Sequence, residues 1–369
     1  MKKRIISLLL ITLLIMLSGC SKNKLTQYKE TTFDVGFNTP FTLIAFTNSQ
    51  EEFDELFEDM KVQVRFMNKL YDIYNNYEGI NNIKTINDMA GIEPVKVDQE
   101  IIDLLLLSKM YSEETDYKFD PTLGAVLEIW HQAREQGIML NQENKPGISP
   151  SQEVLEAAHK FVGWEFVEID EDASTVYLNN ENSALDVGAI AKGYAVEKVA
   201  LALEEKGVEH AVVNGGGNVR TIGTKIDGVP WVVGVTNPDE NNDNSVLSLA
   251  FKDSMSVVTS GDYERYFVDE DGNHQHHLID SKTLQPARIS RSITITTKDS
   301  TLADVLSTAY SMTTLDEAKT FTEKLAIKDL GLVWVFDDKQ DNQDYKHIVV
   351  DGKYVYYNDI IEENIFKKK

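Results

Sequence analysis

Four stretches of the chain hold residue types whose spacing could do chemistry. The first is Leu185-Asp186-Val187-Gly188-Ala189-Ile190-Ala191-Lys192-Gly193-Tyr194. A strand ends at Asp186, small residues turn, and a helix opens with Lys192 in its first turn. That places a carboxylate, an ammonium and unpaired backbone N–H groups at one helix N-terminus, where a phosphate is favoured. A capped helix with an exposed lysine would read the same way. The second is Asn214-Gly215-Gly216-Gly217-Asn218, where three glycines allow close backbone approach to a ligand or a sharp turn. Val219 to Thr224 looks like a strand, so a dinucleotide fingerprint, which needs a helix there, is excluded. The third runs from Val257-Val258-Thr259-Ser260-Gly261-Asp262-Tyr263 through a hairpin to His277-Leu278-Ile279-Asp280. Strand alternation puts His277 and Ile279 on one face and His274, His276 and Asp280 on the other, so a histidine-only metal site is not expected. His274 and His276 read as solvated hairpin residues, whereas His277, at the hydrophobic end, could take a proton near neutral pH. In the fourth, Ser300 to Tyr310, a core stripe of Leu302, Val305, Leu306 and Ala309 leaves Asp304 and Thr308 one turn apart on another face. One carboxylate and one hydroxyl so placed suit magnesium, with waters or phosphate oxygens completing the shell. The plainer alternative is a carboxylate favouring the helix dipole and a solvated threonine.

The elements that must position these groups follow from hydrophobic period. Phe33 to Phe46 reads as a strand pair and Glu51 to Tyr71 as a helix with Phe53, Leu56, Phe57, Met60, Val64 and Met67 inward. Further helices are expected over Gln99 to Thr115, Gln152 to Phe161, Ala189 to Lys206 with Gly207 as its stop, from Thr301, and over Leu315 to Leu325. Strands are expected at Phe166 to Ile169, Thr175 to Leu178, Ala184 to Val187, His210 to Val213, Trp231 to Val235 and Val246 to Phe251. More follow at Tyr263 to Val268, His276 to Ile279, Ser292 to Thr297, Leu332 to Phe336 and Tyr354 to Tyr357, with Asp271-Gly272 as a hairpin turn. The pattern is α+β in one large domain.

The N-terminus reads as an address. Lys2, Lys3 and Arg4 precede an aliphatic run from Ile5 to Leu17, too short to span a bilayer comfortably, and Leu17-Ser18-Gly19-Cys20 resembles a lipobox. The expected organisation is a signal peptide over residues 1–19, a lipidated tether over 20–30, a folded domain over 31–361 and a basic tail over 362–369. Acyl chains on Cys20 would anchor the protein on the outer side of the bacterial cell membrane. Cys20 is the one cysteine, which excludes an internal disulfide and a thiolate zinc site. Loss of Lys2, Lys3 and Arg4 from 36 basic residues leaves 33 against 60 acidic ones, a charge of −27 that repels nucleic acid and anionic headgroups.

Taken together and in this order, the segments resemble the ApbE family of FAD:protein FMN transferases. The resemblance rests on Asp186 with Lys192-Gly193-Tyr194-Ala195, the glycine turn, Thr259-Ser260-Gly261-Asp262-Tyr263, His277-Leu278-Ile279-Asp280 and Ala303-Asp304 with Thr308. Lys118-Phe119-Asp120-Pro121-Thr122-Leu123-Gly124 adds a further match, Phe37-Asn38-Thr39 stands at a Met-Gly-Thr element, and Tyr74 falls where an aromatic often lies against the flavin. Ser281-Lys282-Thr283-Leu284-Gln285-Pro286 departs from the family's Pro-x-Thr-Gly-x-Pro turn, and Phe37-Asn38 from its Met-Gly. The resemblance implies a mixed α/β fold of mostly antiparallel sheets, flanked by helices, around an FAD cleft. It implies that Phe37, Tyr74, Lys118, Phe119, Asp120, Asp186, Lys192 and Ile279 lie at the FAD site. Magnesium would be held by the Ala189 backbone oxygen and the Asp304 and Thr308 side chains. FMN would pass from FAD to a threonine or serine hydroxyl of an extracytoplasmic acceptor protein, with AMP released; His277 is the first candidate for proton acceptor and a site carboxylate the second. An FAD pyrophosphatase and a non-catalytic FAD-binding lipoprotein are the alternatives, and a solute-binding lipoprotein the more distant one. FAD is itself an anion, so its site must supply local positive groups against the global charge.

Overall fold

The computed structural model describes residues 25–239 and 244–366. β1 (Thr26–Thr32) and β2 (Phe41–Thr47) pair antiparallel, with Thr26 opposite Thr47 and Thr32 opposite Phe41. β2 alternates strictly, burying Phe41, Leu43 and Ala45. β1 starts inside the segment expected to be a tether. Its residues are polar and largely exposed because it is an edge strand, so no apolar alternation marks it. α1 (Gln50–Tyr71) opens where the Ser49 side chain accepts the Glu52 N–H, and lays the expected apolar stripe on the sheet.

α2 (Ile83–Asp88), α3 (Gln99–Glu114), α4 (Gly124–Gln142) and α5 (Gln152–His159) follow, with β3 (Val95–Lys96), β4 (Val167–Asp170) and β5 (Thr175–Leu178) in a small three-stranded sheet. α4 has no counterpart in the sequence reading. After its inward residues Val126 and Trp130 comes the mostly polar run His131 to Gln136, and at Gly137 the helix accepts the Phe267 ring, where an apolar side chain would mark a stripe. Ala184 to Val187 was expected as a strand. It forms no named strand: Ala184 makes one isolated bridge to Leu123, and the Asn87 amide spans both the N–H and C=O of Leu185.

α6 (Ala191–Glu205) leads into β6 (Ala211–Gly215) and β7 (Asn218–Ile222). Gly216 and Gly217 both take positive φ between the paired Gly215 and Asn218, so the glycine run is a two-residue hairpin turn. β8 (Trp231–Thr236) and β9 (Ser245–Phe251) form a separate ribbon, followed by β10 (Met255–Gly261) and the short pair β11 (Tyr266–Val268) and β12 (His274–His276). The expected strand His276 to Ile279 is found displaced, as β12 ends at His276 and leaves His277 to Ile279 outside it. β13 (Ser292–Thr297), α7 (Ser300–Ser311), α8 (Leu315–Leu325), β14 (Gly331–Phe336), β15 (Lys346–Val350), β16 (Lys353–Tyr357) and α9 (Asp359–Asn364) complete the chain. Ile365 and Phe366 pair with β9, so part of the segment read as a tail belongs to the fold.

Among the described residues nine strands make one sheet in the order β1-β2-β6-β7-β10-β13-β14-β16-β15, each neighbour antiparallel. β14 shows how it is sandwiched. Leu332, Trp334 and Phe336 pack with Ala303, Leu306 and Tyr310 of α7, while Val333 and Val335 face Val235, Leu249 and Phe251 of the ribbon. A strand covered on both faces reads as a continuous apolar run. α6 and α7 lie side by side under this sheet, tied by Glu197, whose Oε2 accepts from Ser300 N–H at 2.7 Å and from Arg220 Nε at 3.2 Å. The Glu197 and Arg220 side chains are only 10% and 6% exposed. Arg220→Ala would leave that carboxylate buried and unpaired. It should lower unfolding free energy in urea by about 3–5 kcal/mol, and a change under about 1 kcal/mol would count against the pair.

Candidate functional site

The N-terminus of α6 meets the middle of α7. The Gly193 N–H donates to Asp304 Oδ2 at 2.8 Å, and a Cβ placed on Gly193 would lie 2.4 Å from the Ser300 carbonyl oxygen and 2.5 Å from Asp304 Cβ. Only glycine lets the two helices come this close. Gly193→Ala should therefore force them apart, costing about 1–3 kcal/mol and misplacing Asp304. Thermal melting reads the first effect and activity the second, and an unchanged variant would contradict the contact.

Beside this junction lies a cleft of about 390 Å³. Its walls include every residue singled out in the sequence for a cofactor, metal or catalytic role: Phe37, Tyr74, Lys118, Phe119, Asp120, Asp186, Ala189, Lys192, His277, Ile279, Asp304 and Thr308. Cys20, the expected lipid site, lies outside the described residues.

The groups around Asp304 fit a hard cation. Burial raises the pKa of its carboxyl, while the Lys192 ammonium and the Gly193 N–H pull the other way. The Gly193 N–H, the donor four residues beyond Ala189, is taken by Asp304, so it does not serve the Ala189 carbonyl. The carbonyl of half-buried Ala189, the Asp304 carboxylate and the Thr308 hydroxyl are all-oxygen donors of the kind magnesium selects, with room in the cleft for other ligands. No cluster of three or more His, Cys, Asp or Glu side chains that could hold a metal occurs among the described residues. A site built on one carboxylate, one hydroxyl and one carbonyl does not require such a cluster.

His277 faces the same space. Burial holds its pKa well below the ordinary histidine value, helped by the nearby Arg265, His276, Arg134 and Lys192 cations or potential cations. Its Nδ1 has no hydrogen-bond partner although it is sealed from solvent. His276, expected to be solvated, is instead buried, with Nε2 2.7 Å from the Ala287 carbonyl and its pKa pushed down to about 4 by burial. His274 stacks on Tyr266 with ring centroids 4.1 Å apart. The three histidines thus have three different surroundings, which their shared hairpin in the sequence conceals.

The predicted FAD-contact residues divide by what already holds them. Asp186 Oδ1 accepts the Gly188 N–H at 2.8 Å, fixing the turn ahead of α6. Asp120 accepts from Thr122 N–H and Oγ1, and burial raises its pKa. Lys118 lines the cleft, but its ammonium donates to the Met312 carbonyl at 2.7 Å and so caps the C-terminus of α7. Phe119 and Ile279 are 1% and 3% exposed, so they form the wall from the core side. Gly36, Phe37 and Asn38 all have positive φ, and the Asn68 Oδ1 accepts the Phe37 N–H at 2.7 Å. A phenylalanine in that region is strained, and Asn68 holds it there.

Sequence reading missed His131, Arg134, Glu264 and Arg265, which also line the cleft. The first two come from α4, the helix that the apolar period did not reveal. Glu264 and Arg265 follow Tyr263 directly, inside the segment expected as a strand. With Lys118 and Lys192, the two arginines supply the positive groups that an anionic ligand needs inside a chain of net charge −24.

Comparison with known proteins agrees with this geometry. Residues 36–330 match the ApbE family. Over 241 residues the chain is 32% identical to the FAD:protein FMN transferase of Treponema pallidum (strain Nichols), covering 62% of this chain and 63% of that protein, less than two thirds of its length. Over 334 residues it is 25% identical to the FAD:protein FMN transferase of Haemophilus influenzae, covering 88% and 91%. A crystal structure of the ApbE protein from Thermotoga maritima superposes with a TM-score of 0.70 at 32% identity, covering 84% of this chain and 94% of that one. The flavin transferase ApbE from Vibrio cholerae, at 20% identity and a TM-score of 0.70 over 92% and 98% of the two chains, shares the fold. By the span of the family match and the agreement of fold, this chain belongs to the ApbE family.

Proposed function

We propose that this protein transfers FMN from FAD to a threonine or serine hydroxyl of an acceptor protein outside the cytoplasm, in a magnesium-dependent reaction that releases AMP. The observation that carries the reading is the meeting, in one cleft, of the Asp186 to Lys192 turn with Asp304 and Thr308. The names of the relatives, FAD:protein FMN transferase, support the substrate and the acceptor class. Ala189, Asp304 and Thr308 would hold magnesium, which when bound neutralises charge on a pyrophosphate.

The chain's own groups do the rest by position and electrostatics. Lys192 and the N–H groups opening α6 favour phosphate oxygens, and Arg134 and Arg265 face the same cleft. The acceptor oxygen forms a bond to the FMN-side phosphorus as the bond to the bridging pyrophosphate oxygen breaks, and AMP carries that oxygen away. The hydroxyl proton passes to His277, which burial keeps neutral and able to accept it. Tyr74 and Phe37 supply aromatic surface for the flavin.

Mass spectrometry of a candidate acceptor after incubation with the protein, FAD and magnesium should show the addition of one FMN. Rapid FMN and AMP release without acceptor would favour a pyrophosphatase, and intact FAD retained beside an acceptor would favour a binding protein. The proposed address rests on Cys20. No helix among the described residues is long and apolar enough to cross a membrane. Labelling with a fatty-acid analogue should mark the wild type and not Cys20→Ser, since only the thiol carries the proposed acyl chains. Equal labelling of the variant would overturn the anchor.

A further inference from the structure

Tyr74 is 53% exposed, yet it forms part of the wall of the flavin cleft. Behind it lies a larger cavity of about 750 Å³, bounded by α2, α4, α5 and the Glu181 to Asp186 segment, and Ile73, Tyr74, His131 and Asp186 line both spaces. The ring therefore has room to swing out of the cleft. What restrains it is His131 on α4, whose Nδ1 is 3.2 Å from the Tyr74 hydroxyl and whose Nε2 is 3.5 Å from Asp186 Oδ2. The Tyr74 and His131 rings also touch, with centroids 5.8 Å apart.

The protonation of the imidazole sets the direction of these contacts. Burial lowers the pKa of His131, which favours a neutral imidazole with one donor and one acceptor nitrogen. A carboxylate only accepts, so Nε2 carries the hydrogen toward Asp186 and Nδ1 accepts from the tyrosine hydroxyl. Asp186 is held in turn by the Gly188 N–H at 2.8 Å. We propose that His131 is a positioning residue, bridging Tyr74 to Asp186 so that the aromatic wall and the carboxylate of the flavin cleft are set together. For what Tyr74 faces, this rests on the flavin reading above. Fixing an exposed ring before the ligand arrives lowers the entropy lost on binding.

The test compares wild type, His131→Ala, His131→Gln, Tyr74→Phe and the double variant His131→Ala/Tyr74→Phe. FAD affinity is read by flavin fluorescence in magnesium, and transfer by kcat and KM. His131→Ala should weaken FAD binding about tenfold, the size of one hydrogen bond, and raise KM for FAD while kcat stays within about twofold. His131→Gln, which keeps a donor and an acceptor, should restore most of the affinity. The double variant should be no weaker than its more affected parent, because both changes break the same contact. Unchanged affinity in His131→Ala, or fully additive losses, would overturn the proposal, as would a fall in kcat at constant KM. A second readout needs no flavin. In protein labelled with ¹⁵N-histidine, His131 should show the Nε2–H tautomer, and its Nδ1 resonance should move in Tyr74→Phe. A protonated Nδ1, or a resonance indifferent to Tyr74, would overturn the bridge even if the protein proved not to bind FAD. Failure of wild type to bind FAD alongside the expected tautomer would instead remove the flavin reading and leave the bridge in place.

Discussion

Asp304→Ala should abolish FMN transfer at ordinary magnesium concentrations, with a loss of roughly 10²-fold or more. Changes one step removed from a metal already cost about 10- to 100-fold, and Asp304 is the one carboxylate in the proposed donor set. Asp304→Asn makes the sharper experiment. Burial raises the pKa of this carboxyl, so above the ordinary carboxyl range its ionised form subtracts from stability, and an uncharged amide removes that cost. The Asn variant should melt at or above the wild-type temperature in the absence of metal, and yet be inactive. Added magnesium with FAD should raise the melting temperature of wild type and leave the variant unmoved, because only a species bound by the native state shifts the transition. Normal transfer by either variant would remove Asp304 from the site. Inactivity with a collapsed melting temperature would assign it a structural role instead.

His277→Asn should lower kcat by about 10²- to 10⁴-fold, the range for a positioned acid or base, while FAD affinity changes little. The pH profile adds a check with a definite sign. In the free protein burial and neighbouring cations hold the His277 pKa well below the ordinary histidine value, so the neutral form dominates at pH 7 and is lost only on acidification. The acid limb of kcat/KM, which reports the free enzyme, should therefore lie below the usual histidine range. Bound diphosphate brings negative charge that favours the imidazolium, so the acid limb of kcat should lie at higher pH. A reversed order of the two limbs, or a limb that survives in His277→Asn, would assign the proton to another group. Glu264 is the next candidate, since burial raises its carboxyl pKa beside Lys192 and Arg265.

What is legible in the sequence depends on where the determining contacts lie. Helices whose burial is one-sided were legible: α1 and α3 fall within a residue of their expected bounds, because Phe53 to Met67 and Ile101 to Leu105 keep the helical period. The Asp186 to Lys192 turn and the Asp304 to Thr308 spacing were legible too, since each is a local pattern of residue types. That the two are joined was not, because the join is the Gly193 to Asp304 hydrogen bond, between residues far apart in the chain. α4 was invisible for a related reason. Its inner face is completed by Phe267 against Gly137 and by the Leu284 carbonyl on Trp130 Nε1, both supplied from distant sequence. With the helix went His131 and Arg134. His276 shows the opposite failure: its place in a polar hairpin suggested solvent, whereas the Ala287 carbonyl takes it into the interior. The polar edge strand β1 escaped because strand pairing to β2 leaves no periodic mark on a face that water covers.

The proposed transfer requires a divalent cation and a flavin diphosphate to share the space between the Ala189 turn and α7. Diffraction from crystals grown with FAD and manganese in place of magnesium tests this directly, because manganese scatters anomalously. The expected result is an anomalous peak within coordination distance, about 2–2.3 Å, of the Ala189 carbonyl, Asp304 and Thr308, with diphosphate density against it and the flavin ring along Tyr74. A peak elsewhere, or FAD bound away from Asp304, would contradict it.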